Sequence, residues 1–577
     1  MLKREKVTLF EAAFRYRNML VRADIIEKHG NSLKLIEVKS KSHDSSDDSP
    51  FMTKKGEISS TWKPYLYDVA FQRLVIAGSM PELSVTCFLM LPDKNVPCPS
   101  NGLNQKFRIV RDGENVRIRM NAPLSEAETD HPVMLKVNVD DEVRHITEKM
   151  VFMKKYSFAE YAGFLADHYE CDTKIAPVPG SVCKKCEFRC NAVSPLESGF
   201  EECWKDAFSL DAQDCKSPMI LDIWNLRQLD GWIHSGVHRV SQIQRTDLNI
   251  KESEKPGLSA SERQWLQIEK MQKNDMSAYI DIKGIRDEIN SWKYPLHFID
   301  FETIKPAIPF HRGEHPYHDI AFQFSHHILE VDGSIRHAGQ YINTEIGTSP
   351  NLEFIRKLKI QLDRDDGTIF RYATHENTYI NKIYFEIKNS QNEIHDRDEL
   401  LEFMRSISHS AKDSREKWNG DRDMQDLREF VLRYYYDPLT NGSNSIKHVF
   451  PAVLKRSPFL QEKYSKSVYG APNGIHSLNF TDMQWVQTTA TGDITDPYTL
   501  LPKLFQDINV TEQGLDLLFG DDVIKGGGAA SIAYARLQFC EMSNAERVEL
   551  TSALLKYCEL DTLAMVMIVE FFQTCCA

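Results

Sequence analysis

The sequence predicts an α/β protein in which two α/β domains are joined by a helical connector. At roughly 100–200 residues per domain, 577 residues predict about three to five units, or two large ones with insertions. Segments at 20–40 and 294–303 have the composition of buried strands, and amphipathic or apolar helical patterns follow at 65–78 and 549–572. A hydrophobic content of 42% and a charged content of 27% are typical of globular proteins.

Composition also limits the location and the partners that we expect. No segment approaches the run of about 18 apolar residues that a membrane helix needs, and the basic N-terminus lacks the apolar region of a secretory signal. We therefore expect a cytoplasmic protein without membrane contact. The net charge of −13 argues against bulk attraction to nucleic acid, although a locally basic groove is compatible with it. Twelve cysteines in this length do not form a disulfide scaffold, so a local cluster indicates metal.

The N-terminal region, 1–205, begins with strand patterns that carry charged residues. Asp24 lies near the end of the segment LVRADII, and Glu37 and Lys39 form an E-x-K pattern in LKLIEVKS. Side chains two positions apart on a strand share a face, so Glu37 and Lys39 point the same way. Two acids with a nearby lysine suit metal-assisted phosphodiester hydrolysis, because the metal lowers the pKa of water and offsets phosphate charge. An exposed strand edge is the alternative interpretation.

This arrangement resembles the PD-(D/E)XK nuclease motif of RecB-type nucleases. The resemblance implies that Asp24 and Glu37 hold Mg²⁺ or Mn²⁺ and that Lys39 positions water. It also implies roles near the site for Glu11 upstream and for Gln72 on the predicted helix YLYDVAFQRLVIAG, whose Tyr65, Asp68 and Gln72 follow helical spacing. Ordinary helix surface remains the alternative for Tyr65 and Gln72.

A cysteine cluster follows this region. Cys183 and Cys186 form a C-x-x-C turn, and Cys190 and Cys203 lie downstream, a spacing that lets thiolates converge on one metal. RecB-type and CRISPR-associated nucleases often carry a [4Fe–4S] cluster, and the resemblance implies one here. The family's first cysteine precedes the nuclease core and has no counterpart in this sequence, so Cys171, or both Cys190 and Cys203, would complete the set. Zn²⁺ and the absence of metal remain alternatives.

Residues 206–290 are predicted to form a helical connector. Short apolar patterns in LDIWNLRQLDGWIHSGVHRVSQI suggest two short helices, and a serine N-cap precedes a helix near 260. We interpret Trp224, Trp232 and Trp265 as packing residues rather than as base-stacking platforms. His234 and His238 are four residues apart but have no acidic or cysteine neighbours, which favours a surface location.

The C-terminal region, 291–577, contains the segment YPLHFIDFET. Its apolar residues predict a buried strand, and Asp300 and Glu302 interrupt it two positions apart. Both carboxylates therefore leave one face of an apolar element, where uncompensated charge is unfavourable. A divalent cation between the two acids would compensate it. A strand end in solvent is the alternative.

The last helix pattern, ELTSALLKYCELDTLAMVMIVEFF, places Tyr557 and Asp561 one turn apart on one face. A middle acid would complete a two-metal site. Glu376, in ATHENTYINKI, is the best candidate, and Asp426 is an alternative. A further segment has a basic edge that is either a solvated face or a phosphate contact: Lys447, His448, Lys455 and Arg456.

The order of these motifs resembles the DnaQ-like 3′–5′ exonucleases of the DEDD group with a tyrosine. That resemblance implies an RNase H-like α/β fold with helical insertions for 291–577. It implies that Asp300, Glu302, Glu376 and Asp561 hold two divalent cations and that Tyr557 orients the attacking water. The sequence departs from the family's N-x-x-F-D second motif, where Glu376 stands.

Taken together, HFIDFET, PYHDIAFQFS, SIKHVFPAVL and YCELDTLAMV, after LIEVKS and CKKCEF, resemble a bacterial family filed as a domain of unknown function. That family fuses a RecB/CRISPR-associated-type nuclease module to a DnaQ-like exonuclease module. We therefore expect a metal-dependent nuclease acting on DNA or RNA phosphodiesters, with a role in DNA repair or defence. The alternatives are a nucleic-acid-binding or interaction protein with degenerate sites and a structural metal cluster, and a structural metal protein of a larger assembly.

Overall fold

The computed structural model describes residues 1–112, 115–190, 196–210, 212–501 and 528–576. It confirms the predicted α/β class: two five-stranded mixed sheets carry helices, and two short two-stranded sheets accompany them. The strands are β1 (Lys6–Tyr16), β2 (Met19–His29), β3 (Ser32–Val38), β4 (Ser84–Pro92), β5 (Phe107–Asp112), β6 (Asn115–Met120), β7 (Met134–Asn138), β8 (Tyr279–Ile280), β9 (Leu296–Ile304), β10 (Ile320–Leu329), β11 (Ile335–Ile342), β12 (Ile369–Arg371), β13 (Gln425–Asp426) and β14 (Tyr435–Tyr436).

Helices are distributed along the whole of the described chain. Those of the N-terminal part and connector are α1 (Lys63–Ser79), α2 (Glu126–Asp130), α3 (Asp140–Arg144), α4 (Phe158–Glu170), α5 (Gly199–Phe208), α6 (Ala212–Lys216), α7 (Leu229–His234), α8 (Ala260–Lys273) and α9 (Ile282–Ile289). Those that follow are α10 (Asn351–Leu362), α11 (His375–Asn389), α12 (Arg397–Ser406), α13 (Leu427–Tyr434), α14 (Ile446–Arg456), α15 (Pro458–Tyr464), α16 (Gly528–Phe539) and α17 (Asn544–Cys576).

The N-terminal sheet has the order β1-β2-β3-β4-β7. Its pairs are antiparallel except β3 with β4, which run parallel because α1 crosses between them. Gly30 adopts a φ of +57° in the tight turn between β2 and β3, a conformation that glycine reaches without strain. Leu33 and Leu35 on β3 pack against the buried residues Leu66 and Val69 of α1 in one hydrophobic core.

The second sheet has the order β11-β10-β9-β12-β13, so β9 is its central strand. Along β9, even-numbered residues such as Phe298 and Ile304 join the core that contains α17. Odd-numbered residues, Ile299 and Phe301, join the core formed with α10, α11 and α12. This alternation decides which helices face the two acids, because residues 300 and 302 share the side of 298 and 304.

The connector has a core of its own, which crosses the predicted boundary at residue 205. That core includes Phe200 and Trp204 of α5, and Cys183, Cys186 and Cys203 pack against it. The cysteine region therefore packs with the connector. A backbone hydrogen bond also joins the N-terminal part to the C-terminal part. The amide of Cys98 donates to the carbonyl of Glu314, 2.7 Å away. None of the helices within the described ranges has the length and apolarity needed to cross a membrane.

Candidate active sites

The central strand β9 and the long helix α17 bring the predicted C-terminal acids together. Asp300 and Glu302 leave β9 on the face that meets α17, and Asp561 lies on that helix. Glu302 and Asp561 are 6% and 7% exposed, whereas Asp300 is partly exposed. Three atoms all lie within 4.8 Å of one another: a carboxylate oxygen of Asp300, a carboxylate oxygen of Glu302 and the sulfur of Cys558. Asp300 and Glu302 thus form a compact group with Cys558 at the interface of sheet and helix, and Asp561 shares a pocket wall with Asp300.

Glu376, the predicted middle acid, joins this cluster from the first turn of α11, just after β12. It is 2% exposed, and within the described residues its Oε2 has no hydrogen-bond partner. Burial raises the pKa of Glu376 to about 8, and the nearby Arg371 guanidinium opposes that change only in part. A buried carboxylate oxygen without a partner is unfavourable, so protonation of Glu376 or a bound cation would stabilise the site.

The carboxylate of Asp426, the alternative middle acid, accepts hydrogen bonds from backbone amides. It caps α13, accepting from the amide of Arg428 at 2.9 Å, and also accepts from the amide of Ala373 at 2.9 Å. The Arg371 guanidinium lies 3.2 Å from it. These contacts give Asp426 a capping role, and they favour Glu376 as the acid that is available to a cation.

The electrostatics of the cluster are those of crowded like charges. Burial raises the pKa of Asp300 well above its ordinary value, and the negative charges of Asp561, Glu302 and Glu376 raise it further. Burial and Asp561 likewise raise the pKa of Glu302, while Lys447 lowers it. Because carboxylates that share a site cannot all ionise without a compensating charge, this set suits a divalent cation.

Lys447 is the functional candidate that the sequence did not reveal. It was predicted only as part of a basic edge, yet its Nζ donates a hydrogen bond to the Tyr557 hydroxyl and lies 4.7 Å from the centre of that ring. The Tyr498 hydroxyl donates to Oδ1 of Asp561 at 2.5 Å. Lys447 reaches the site from α14, and its spacing of 110 residues from Tyr557 carries no local signal.

A pocket of about 470 Å³ opens onto Asp300 and Asp561. The connector contributes Trp224 to its wall, and α13 contributes Arg428. The sequence predicted Trp224 as a packing residue, whereas its partly exposed indole lines this pocket. A cation and an aromatic face beside an acidic cluster are the groups that contact a phosphate and a base.

The N-terminal acids form a second cluster between β3 and α1. Lys39 Nζ donates to Glu37 at 2.7 Å and to Asp68 at 2.9 Å, and Gln72 Nε2 donates to the same two acids at 2.8 and 3.0 Å. Burial raises the pKa of Glu37 to about 7, although Lys39 opposes this. Asp24 accepts from the amide of Val38 at 2.8 Å and so lies beside the E-x-K pattern.

Glu11 does not contribute to this cluster. It sits at an irregularity of β1, where the pairing with β2 passes from Phe10 to Ala12, and its φ is +53°. Its carboxylate pairs with Arg22 at 2.8 Å, with 56% of the Glu11 side chain exposed. The backbone irregularity thus accompanies a surface location of the predicted additional acid.

The four predicted cysteine ligands are only partly gathered. Burial raises the pKa of the Cys203 thiol, and Cys183 and Cys186 lie near enough to raise it further. Cys190 instead lies 3.4 Å from the carbonyl oxygen of Glu197. Within the described residues, no three of these sulfurs lie within 4.8 Å of one another. Residues 191–195, beside Cys190, lie outside the described ranges.

Comparison with known proteins adds one finding. Residues 297–445 match the model of a family described as "Domain of unknown function (DUF2779)". The matched segment includes Asp300, Glu302 and Glu376 and ends before Lys447, Tyr557 and Asp561. The resemblance to a domain of unknown function is therefore confirmed for that segment. The comparison with curated proteins gave no match, and the comparison with solved structures gave none.

Proposed function

We propose that this chain is a divalent-cation-dependent nuclease whose main site is the cluster of Asp300, Glu302, Glu376 and Asp561. The observation that carries the proposal is the buried Oε2 of Glu376, which has no partner within the described residues. Glu376 and Asp561 also raise the pKa of both Asp300 and Glu302. The central position of β9 in a mixed sheet supports the predicted RNase H-like domain.

The donor set fits Mg²⁺ or Mn²⁺, because both cations prefer carboxylate oxygens. Asp300, Glu302, Glu376 and Asp561 would hold them. A divalent cation bound there supplies Lewis-acid polarisation of a phosphate oxygen and activation of water for hydrolysis. The excess of negative charge in the cluster is what makes its residues suitable for this task.

The other residues of the site have separable roles in the proposed reaction. The Tyr557 hydroxyl, held by Lys447, is the group placed to orient an attacking water. Burial raises the pKa of Asp561, and Lys447 opposes that increase in part. Arg428 and Trp224, on the pocket wall, would contact the phosphate and the base of a nucleic acid.

A second site is proposed at Glu37, Lys39 and Asp24. The supporting observation is that Lys39 and Gln72 each donate to both the buried Glu37 carboxylate and Asp68, with Asp24 beside them. This arrangement supports the resemblance to the PD-(D/E)XK motif. A [4Fe–4S] cluster or Zn²⁺ at Cys183, Cys186 and Cys203 remains part of the proposal, with Cys190 or Cys171 completing the set. Iron and zinc quantitation of the purified protein, with its visible spectrum, tests that part.

The experiment that tests the nuclease proposal is cleavage of end-labelled DNA and RNA, single- and double-stranded, with Mg²⁺, Mn²⁺ or EDTA. Asp300→Asn and Glu37→Gln remove one site each without adding bulk. Glu549→Gln is the matched control, since Glu549 is an exposed acid on the same helix as Asp561. Loss of cleavage only in Asp300→Asn assigns it to the C-terminal cluster. Absence of cation-dependent cleavage on every substrate refutes the proposal and favours a binding protein with degenerate sites.

A further inference from the structure

The acid cluster contains a thiol that phosphodiester hydrolysis does not require. Cys558 lies on α17, three residues before Asp561, so both side chains occupy one face of the helix. The Cys558 side chain is fully buried, and its Sγ lies 3.4 Å from Oδ2 of Asp300. A buried cysteine usually packs as a small apolar group. Here the thiol is directed at a carboxylate.

The spacing of these donors suits one small cation. Zn–S bonds of about 2.3 Å and Zn–O bonds of about 2.1 Å at a tetrahedral angle place sulfur and oxygen about 3.6 Å apart. The observed separation of Sγ and Oδ2 is 3.4 Å. Glu302 adds a third donor atom, within 4.8 Å of the other two. These three side chains can therefore reach one ion with small adjustments.

A second, independent observation points to a ligand at this place. Glu376 is 98% buried, and its Oε2 has no hydrogen-bond partner within the described residues. Its carboxylate accepts a hydrogen bond from the backbone of Phe301, the residue between the two acids, and its charge raises the pKa of both Asp300 and Glu302. A buried acid with an unused lone pair thus lies beside the strand segment that carries the two acids.

We propose that Asp300, Glu302 and Cys558 form a binding site for a thiophilic divalent cation of the Zn²⁺, Co²⁺ and Cd²⁺ class, which competes there with Mg²⁺. Thiolate ligands select this class, whereas carboxylates alone suit Mg²⁺ and Mn²⁺. On binding, the S–H proton of Cys558 passes to solvent and the thiolate sulfur bonds to the ion. The binding proposal is independent of any reaction. Its consequence, that Zn²⁺ inhibits cleavage supported by Mg²⁺, rests on the proposed function.

The test is a titration of the metal-free full-length chain with Co²⁺ alone, followed by absorption. A thiolate ligand produces sulfur-to-metal charge-transfer absorption in the near ultraviolet. We compare wild type with Cys558→Ser, and with Asp300→Asn, which keeps every thiol but removes the carboxylate charge and replaces one of its oxygens by an amide nitrogen. Cys575→Ser is the matched control, since it makes the same substitution on the same helix about 25 Å away, at 1.5 Å per residue. Any Co²⁺ bound at Cys183, Cys186 and Cys203 contributes equally to all four spectra and cancels in the differences.

We expect Cys558→Ser and Asp300→Asn each to lose the same charge-transfer component, while Cys575→Ser retains it. Affinity for Cd²⁺ should fall by roughly 10- to 100-fold in Cys558→Ser, the range seen when groups that support a metal are removed. Affinity for Mg²⁺ should change much less. If the two site variants keep the wild-type spectrum and Cd²⁺ affinity, Cys558 is not a ligand and the inference is wrong. If Cys558→Ser does not fold, Asp300→Asn alone decides.

Cleavage is measured separately, so the two proposals fail in different ways. A charge-transfer component that depends on Asp300 and Cys558, in a protein without nuclease activity, supports the metal site and refutes the proposed function. Cleavage by wild type that Zn²⁺ does not inhibit, together with unchanged spectra, refutes the metal site and leaves the nuclease.

Discussion

Replacement of Glu376 by Gln is the substitution that most directly separates stability from activity in this protein. Glutamine has the shape of the protonated acid but cannot ionise. In the absence of divalent cations, the native structure holds the Glu376 carboxylate buried, with Oε2 lacking a partner within the described residues. We therefore expect Glu376→Gln to stabilise the metal-free protein at alkaline pH while abolishing cation-dependent cleavage.

The magnitude follows from the raised pKa. An ordinary value of 4.5 and a native value of about 8 differ by an amount that corresponds to at most roughly 5 kcal/mol, at about 1.4 kcal/mol per pH unit. Since neighbouring acids share protons with Glu376, part of this energy belongs to the group rather than to one residue. We expect a gain of about 2 kcal/mol, equivalent to roughly 4–8 °C in Tm for a domain of this size.

The pH dependence has a definite sign. Because the native pKa of Glu376 lies above its ordinary value, the unfolded chain ionises first as the pH rises above 4.5. Between pH 4.5 and about 8 the native state binds more protons, so wild-type stability falls with rising pH through that window. The variant lacks this loss. Its advantage over wild type should be near zero around pH 5 and reach its full size above pH 8.

The assay is denaturant and thermal unfolding of wild type and variant in EDTA at three pH values, repeated with Mn²⁺. A cation that binds only the native state should stabilise wild type more than Glu376→Gln, which shrinks or reverses the difference. Glu549→Gln, an exposed substitution, should change stability by less than about 0.5 kcal/mol at every pH. A Glu376→Gln variant that is less stable than wild type in EDTA at pH 8, or a difference that does not vary with pH, would refute the reasoning.

Three further substitutions test other contacts. Lys447→Met should lower cation-dependent cleavage roughly 100-fold, because a charged donor at the Tyr557 hydroxyl is lost, while Mn²⁺ binding persists; unchanged cleavage would contradict that role. Asp426→Ala should destabilise the protein by about 1 kcal/mol or more in urea unfolding, because it removes a helix cap and leaves Arg371 without its ion pair; a stability-neutral change would contradict the capping role. Lys39→Met should lower the free energy of unfolding by about 2 kcal/mol at pH 8 and by less at pH 5. Burial already raises the pKa of Glu37 to about 7, and without the Lys39 cation the ionised carboxylate, which predominates at pH 8, loses its compensating charge. An equal loss at both pH values would contradict this reasoning.

Local periodicity was enough to predict much of the C-terminal site. The rule that strand residues two apart share a face put Asp300 and Glu302 together, and helical spacing put Tyr557 and Asp561 together. The structure places all four at the contact of β9 and α17. These are short-range properties of the chain, so a single sequence contains them.

Contacts between distant segments were beyond the reach of such rules. Lys447 approaches Tyr557 across 110 residues, and Trp224 reaches the pocket from the connector, so both depend on how whole elements pack. The surface location of Glu11 was out of reach for a different reason, because its positive φ interrupts the alternation of faces that a strand pattern assumes. The location of Cys558 could have been predicted from the sequence. It precedes Asp561 by three residues, and this spacing puts two helix residues on one face, as does the spacing of four between Tyr557 and Asp561.

The buried acids of α17 provide an internal comparison for the function of the cluster. Glu559 is buried, but hydrogen bonds from His337, Ser477 and Tyr469 hold its pKa below the ordinary value despite burial. Two residues later, burial raises the pKa of Asp561, although Lys447 and Tyr498 oppose this, and the charge of Asp561 in turn raises the pKa of Asp300 and Glu302 on β9. The fold therefore supplies Glu559 with donors and leaves Asp300 and Glu302 among like charges. A fold that can compensate a buried acid and does not do so at one place loses stability there. The loss is explained if that place binds a cation, because the bound cation then restores the stability that the bare acids remove.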